Sequence, residues 1–141
     1  MTKQNRAFSL IEILIALAIL GLIASLVLPV VKQRRDTAAY DVSRLNLFQV
    51  SKAMEKHYLE KGVYPSFQTW TEVHAENSPL REYLNDIPKV DGFGRDYEIV
   101  TSDESGYEFE GFGLDGHLKD NYPDYTVSTG SKQRKGKKKS L

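Results

Sequence analysis

No cysteine occurs among the 141 residues, so a disulfide framework is excluded. Small exported domains often depend on such staples. A domain of this chain therefore draws its stability from packing, from a bound ion or from neighbouring subunits, or needs no staple. Net charge is also lacking: nineteen basic side chains balance nineteen acidic ones. The balance is uneven along the chain, however. From Leu80 to Ser131 twelve Asp or Glu stand against four Lys or Arg, whereas Lys132, Arg134, Lys135, Lys137, Lys138 and Lys139 follow with no acid among them. An acidic body thus precedes a basic tail. No phosphate-binding loop, nucleotide fingerprint or zinc-ligand spacing is present. The three histidines, His57 on a helical stretch, His74 in a polar loop and His117 beside acids, form no triad with a serine, and enzymatic activity is not expected. The length allows one domain of ordinary size.

What the chain does have is one long apolar run. Ile13 to Val31 holds nineteen residues without a charge, enough as a helix to cross a hydrocarbon core of about 30 Å. Lys3 and Arg6 precede it and Lys32, Arg34 and Arg35 follow, so flanking charge alone does not orient it. A secretory signal would have a shorter core and a small-residue cleavage site. A plain membrane anchor fits the length but gives Glu12 nothing to do. A carboxylate at mid-membrane depth costs roughly 2.5–3.5 kcal/mol, less near the edge, and marks a functional position that needs a partner.

Ala7-Phe8-Ser9-Leu10-Ile11-Glu12, after a short basic leader and before the apolar run, resembles the prepilin peptidase signature of type IV pilins and type II secretion pseudopilins. The resemblance implies cleavage between Ala7 and Phe8 and methylation of the new amine on Phe8. It assigns Glu12 to subunit assembly, and it matches Gly21 and Pro29 to positions where pilins often soften the helix. The family nearly always has Gly where Ala7 stands; alanine is the smallest replacement, and cleavage is expected to survive it. The physical sense is independent of the family. A free amine on Phe8 beside hydrocarbon is neutralised by Glu12 of a neighbouring subunit, which outweighs leaving either charge alone in a low dielectric. Pro29 lacks an N–H and clashes with the preceding turn, so the helix can bend or melt there.

Beyond Val31 the helical pattern turns amphipathic. Leu47, Val50, Met54 and Tyr58 recur at three- and four-residue steps, with Leu45, Phe48 and Ala53 widening the stripe. Gly62 is placed as a C-terminal cap, with Pro65 following. A helix from about Ser9 to Lys61 is expected to run on the order of 80 Å. Ser78-Pro79 predicts the start of a short helix with Leu80, Tyr83 and Leu84 inward. Residues 97–100 and 107–110 alternate with period two around the turn-rich 102–106, predicting a hairpin with Tyr107 and Phe109 inward and Glu108 and Glu110 in solvent. Trp70 and Phe93 are expected in the core or at its rim.

The second half narrows the resemblance. Glu60-Lys61-Gly62-Val63-Tyr64-Pro65, Ile87-Pro88-Lys89, Gly92-Phe93-Gly94-Arg95-Asp96-Tyr97 and Gly111-Phe112-Gly113-Leu114-Asp115-Gly116 follow in an order similar to the major pseudopilins of type II secretion. Phe93 stands where that family has Trp, and Arg95-Asp96 where it has Asn-Pro. The likeness covers residues 7 to about 127. It implies an α+β, pilin-like fold, with a long N-terminal helix, its first half in the membrane, packed against a small antiparallel sheet. The expected divisions are a leader at 1–7, a transmembrane and polymerisation helix at 8–31, its amphipathic continuation at 32–61, a head at 62–131 and a disordered basic tail at 132–141. The implied function is a structural subunit of a periplasmic pseudopilus, single-pass in the bacterial inner membrane. Its implied partners are copies of itself in a filament, prepilin peptidase, an inner-membrane assembly platform and minor pseudopilins. A surface type IV pilin for adhesion, motility or DNA uptake is the alternative. Major pseudopilins also bind calcium after the hairpin, which on this chain implies Phe112 through its carbonyl with Asp115, Asp120 and Asp124. Calcium takes six to eight oxygens, and carboxylates converging in a loop supply several. The spacing is not that of an EF-hand, and an acidic solvated loop is the alternative. The lysine-rich tail could meet a phosphate backbone, but no aromatic is interleaved to stack bases, and nucleic acid is not the expected partner.

Overall fold

A computed structural model describes residues 8–114, 121–130 and, by backbone alone, 134–135. The chain divides into two compact units, Met1–Asp36 and Thr37–Leu141. Helix α1, Leu10–Lys61, contributes to both. It ends where sequence reading places its cap: Gly62 adopts φ +79° and donates its N–H to the Tyr58 carbonyl at 2.8 Å. That left-handed conformation suits a residue without Cβ.

In the first unit α1 stays helical through Gly21 and Pro29. Sixteen large apolar residues from Phe8 to Val31 are exposed, by between 47% and 81%. Covering each is worth about 1.5–3 kcal/mol, tens of kcal/mol together, against a typical domain stability of about 5–15 kcal/mol. A surface of that size requires lipid or other protein subunits around it.

In the second unit α1 buries Tyr40, Ser43, Leu47, Val50, Ser51, Ala53 and Met54, a stripe at the three- and four-residue spacing of one helical face. Three expected members fall outside it, among them Phe48, which is half-buried with the Lys52 ammonium 4.8 Å from its ring centroid. Leu45 is exposed, because two residues from Leu47 it lies about 200° round the helix. Tyr58 is exposed as well, one turn beyond Met54, and stacks its ring on Tyr64 at 4.5 Å. After α1 come a single-turn helix α2, Trp70–Val73, and a 3-10 turn, Pro79–Glu82. The Ser78 side chain caps that turn by accepting the Leu80 N–H at 3.4 Å. Leu80 is fully buried, and Tyr83 and Leu84 pack partly against the core.

Four antiparallel strands follow in the order β1 (Glu98–Asp103), β2 (Gly106–Gly111), β3 (Tyr125–Ser128) and β4 (Arg134–Lys135). The predicted hairpin is β1–β2, tightened to a Glu104–Ser105 connection. There the Asp103 carboxylate accepts the N–H groups of Ser105 and Gly106 at 2.8 and 3.1 Å. Tyr107 and Phe109 face the core as expected. Glu108 and Glu110 are half-buried rather than in solvent. Both lie on a central strand, and neighbours flank them from both sides: Thr101 and Ser128 beside Glu108, Glu98 and Thr126 beside Glu110. Within the tail expected to be disordered, Arg134 and Lys135 pair with Thr126 and Tyr125 instead; the rest of it lies outside the described residues.

The core between helix and sheet is aromatic. Trp70 stands 4.8 Å from Tyr97 and 5.8 Å, edge-on, from Phe109, while Phe93 packs partly buried at the rim. Tyrosine hydroxyls tie the sheet side to the polar atoms of α1: Tyr97 donates to the Ser43 carbonyl at 2.9 Å, and Tyr107 reaches Ser51 Oγ at 2.9 Å and Glu55 Oε1 at 3.0 Å. Gly92 crosses so close to α1 that a Cβ would stand 2.4 Å from the Ala39 carbonyl oxygen, and its N–H donates to Ser43 Oγ at 2.7 Å.

Candidate functional site

Helix α1 starts on Ser9. The carbonyl of Ser9 accepts the Glu12 and Ile13 N–H groups at 3.1 and 3.3 Å, and the Glu12 carboxylate returns to accept the Ser9 N–H at 2.8 Å. This is the carboxylate arm of a capping box, in which an acid at the third helical position satisfies the N–H of the cap residue. The Ser9-Leu10-Ile11-Glu12 spacing is its sequence signal, and it shows that Glu12 has an intrachain partner besides any intermolecular one. Phe8 precedes it, 81% exposed; Ala7 lies outside the described residues. A Cβ at Gly21 would meet nothing within 4 Å, so packing within the chain does not require glycine there. Pro29 leaves one backbone carbonyl of the same helix without its intrahelical donor.

The segment leaving β2 is the second place where functional residues were expected. Phe112 and Asp124 are described; Asp115 and Asp120 lie outside the described residues. The Phe112 carbonyl accepts from Arg95 Nη2 at 2.6 Å and the Gly113 carbonyl from Arg95 Nη1 at 2.8 Å. Asp124 Oδ1 accepts the Gly113 N–H at 2.8 Å. The same guanidinium meets Asp91 Oδ2 through Nε at 3.0 Å and Nη2 at 2.8 Å. Asp91 and Arg95 escaped the sequence reading. Their signal is an acid and a base four residues apart around Gly92 and Gly94, inside a turn where the resembling family has no arginine. Among the described residues, no three or more His, Asp or Glu side chains converge as a metal site.

The first 28 residues carry the leader signal: residues 2–28 match the family model described as the prokaryotic N-terminal methylation motif. Over 124 residues the chain is 30% identical to type II secretion system core protein G of Pseudomonas aeruginosa, covering 81% of this chain and 87% of that protein. The chain belongs to this core protein G family. The core protein G of Vibrio cholerae is 27% identical over 112 residues, 74% of this chain and 76% of the relative. The type IV major pilin protein PilE of Neisseria gonorrhoeae matches over less of its length, at 26% over 92 residues, 65% of this chain and 55% of the pilin. No solved structure matches the chain.

Membership in the core protein G family accounts for the long apolar helix joined to a small antiparallel sheet. Phe8, Glu12, Gly21 and Pro29 all lie on or beside the exposed part of α1. The loop anchor at Phe112 and Gly113 belongs to the other unit. The resemblance marked Phe112 and Asp124 there as calcium ligands, whereas Arg95 and Asp91, which hold the anchor, were not marked as site residues.

Proposed function

We propose that this core protein G family member is a structural subunit of a type II secretion pseudopilus, assembled through α1. The observation that carries the reading is the exposed apolar helix with a single carboxylate, Glu12, four residues behind Phe8. Such a surface is soluble only in lipid or against like helices, and the charge of an acid at its head, beyond capping the helix at Ser9, is neutralised there only where a cation arrives. Prepilin peptidase cutting between Ala7 and Phe8 would create that cation as a new amine, which is then methylated. Before assembly the helix crosses the inner membrane once, with the second unit in the periplasm; Ile13 to Val31 is of spanning length. Copies of the chain, minor pseudopilins and an inner-membrane platform are the partners of that cycle. A surface pilin is the second reading, supported by the shorter match to a type IV major pilin.

Coexpression with a prepilin peptidase and intact-mass measurement test the first step. The expected product lacks residues 1–7 and carries one added methyl group on Phe8. A chain that keeps Met1, or one cut within the apolar run, would return the segment to a plain anchor or signal peptide.

A further inference from the structure

The exit of β2 is held from two sides. Its N–H groups are taken from the β3 side: Gly113 donates to Asp124 at 2.8 Å and Leu114 to the Tyr122 carbonyl at 2.9 Å. The approach is so close that a Cβ on Gly113 would stand 1.7 Å from the Tyr122 oxygen. The two carbonyls, Phe112 and Gly113, point the other way, and both end on Arg95. Two carbonyl dipoles converging on one point make a site for positive charge.

Here the chain supplies the charge itself. Asp91 is buried, its side chain only 1% exposed. One of its oxygens accepts the N–H groups of Phe93 and Arg95 at 2.8 and 2.9 Å. The other takes Nε and Nη2 of the Arg95 guanidinium. The turn is closed by the Asp91 N–H on the Arg95 carbonyl at 2.7 Å and by Gly94 at φ +80°. The ring of Phe93 lies 5.0 Å from the guanidinium carbon. A planar fork of five donors suits this arrangement, a carboxylate on one edge and carbonyls on the other, better than an ammonium would.

We propose that Arg95 is a built-in cation that fastens the base of the β2–β3 loop in place of a bound divalent ion. A calcium ion ligated by the Phe112 carbonyl would approach that oxygen to about 2.3–2.6 Å, where Arg95 Nη2 already stands at 2.6 Å. The two cations would then lie within about 5 Å of each other and repel. The calcium implied by the family resemblance and the Arg95 clamp are therefore alternatives at this carbonyl. The base of the loop, at Phe112 and Gly113, is held by Arg95 instead.

The test uses the full-length chain in detergent, with thermal unfolding followed by the fluorescence of Trp70, the one tryptophan. The expected native melting temperature is the same in millimolar calcium, in magnesium and in chelator. Arg95→Gln is expected to melt about 5–10 °C lower in chelator, since it leaves the buried Asp91 carboxylate without its counter-ion. Trypsin cleavage at Lys119, between β2 and β3, is expected to be several-fold faster in that variant than in the native chain. A native protein that melts several degrees higher in calcium than in chelator would overturn the proposal, even if no Arg95 variant folds. So would an Arg95→Gln chain with native melting temperature and native cleavage rate.

Discussion

The carboxylate of Glu12 lies at the third position of α1 and already holds the Ser9 N–H. Loss of such a cap costs a helix about 0.5–2 kcal/mol, too little to expel an apolar helix of this length from a bilayer. The charge is another matter. An amine on Phe8 of one subunit and a carboxylate on the next neutralise each other beside hydrocarbon, and either one alone is strongly unfavourable there. Two variants separate the roles. Glu12→Ala removes both cap and charge, whereas Glu12→Gln keeps a cap acceptor without the charge. Both are expected to fractionate with membranes like the native chain and to be missing from sheared or crosslinked filaments. Native-level assembly of Glu12→Gln would show that capping, not pairing, is what assembly needs.

At the scale of elements, β2 organises the head. It is flanked by β1 and β3, and it sends Tyr107 and Phe109 into the core while Gly111 leaves room for the Tyr125 ring, which a Cβ would meet at 2.3 Å. Phe109 is fully buried and touches Trp70 edge-on. Phe109→Ala is expected to cost about 3–5 kcal/mol and to lower the melting temperature by roughly 10 °C or more. A loss below about 1 kcal/mol in denaturant titration would mean that the helix and sheet close over the vacated space. Helix α1 is a single element with two surfaces. Its first half exposes apolar residues all round, and its second half concentrates them on one stripe.

For the molecule as a whole, stability without disulfides rests heavily on buried tyrosine. Burial raises the hydroxyl pKa of Tyr97, Tyr107 and Tyr125 well above the ordinary 10.0. The charge of Asp91 adds to this at Tyr97, and that of Glu55 at Tyr107. Tyr64, desolvated and bonded to Glu55, is pushed up to about 12. Each of these groups stays protonated in the folded chain at a pH where the unfolded chain has released its proton. Their stabilisation is therefore complete below pH 10.0 and is lost as pH rises through the folded-state values. The loss is about 1.4 kcal/mol per tyrosine for each pH unit in that window. The head is expected to unfold cooperatively between about pH 10 and 12, with tyrosinate absorbance and Trp70 fluorescence changing together. Tyrosinate appearing gradually from pH 10, with Trp70 fluorescence unchanged, would mean that the hydroxyls titrate in the folded state.

The amino-acid sequence alone determined the long helix and its apolar first half. The span of the uncharged run follows from a count along the chain, the Gly62 stop from glycine's conformational freedom, and Glu12 was marked by its place at the head of that run. The period-two hairpin follows from local spacing, because backbone geometry repeats every 3.6 or 2 residues whatever lies across from it. The Leu47, Val50 and Met54 stripe was legible for the same reason, and Leu45 was misplaced by counting apolarity instead of angle. Only the tertiary structure decided which groups meet across the chain. Arg95 and Phe112 are separated by seventeen residues and joined by two strands. No periodicity connects them, so an arginine in a glycine-rich turn reads as a solvated charge until the fold brings two carbonyls onto it. Arg134 and Lys135 entered the sheet in the same way: a two-residue strand has too short a pattern to register in sequence, and its place is set by the open edge of β3.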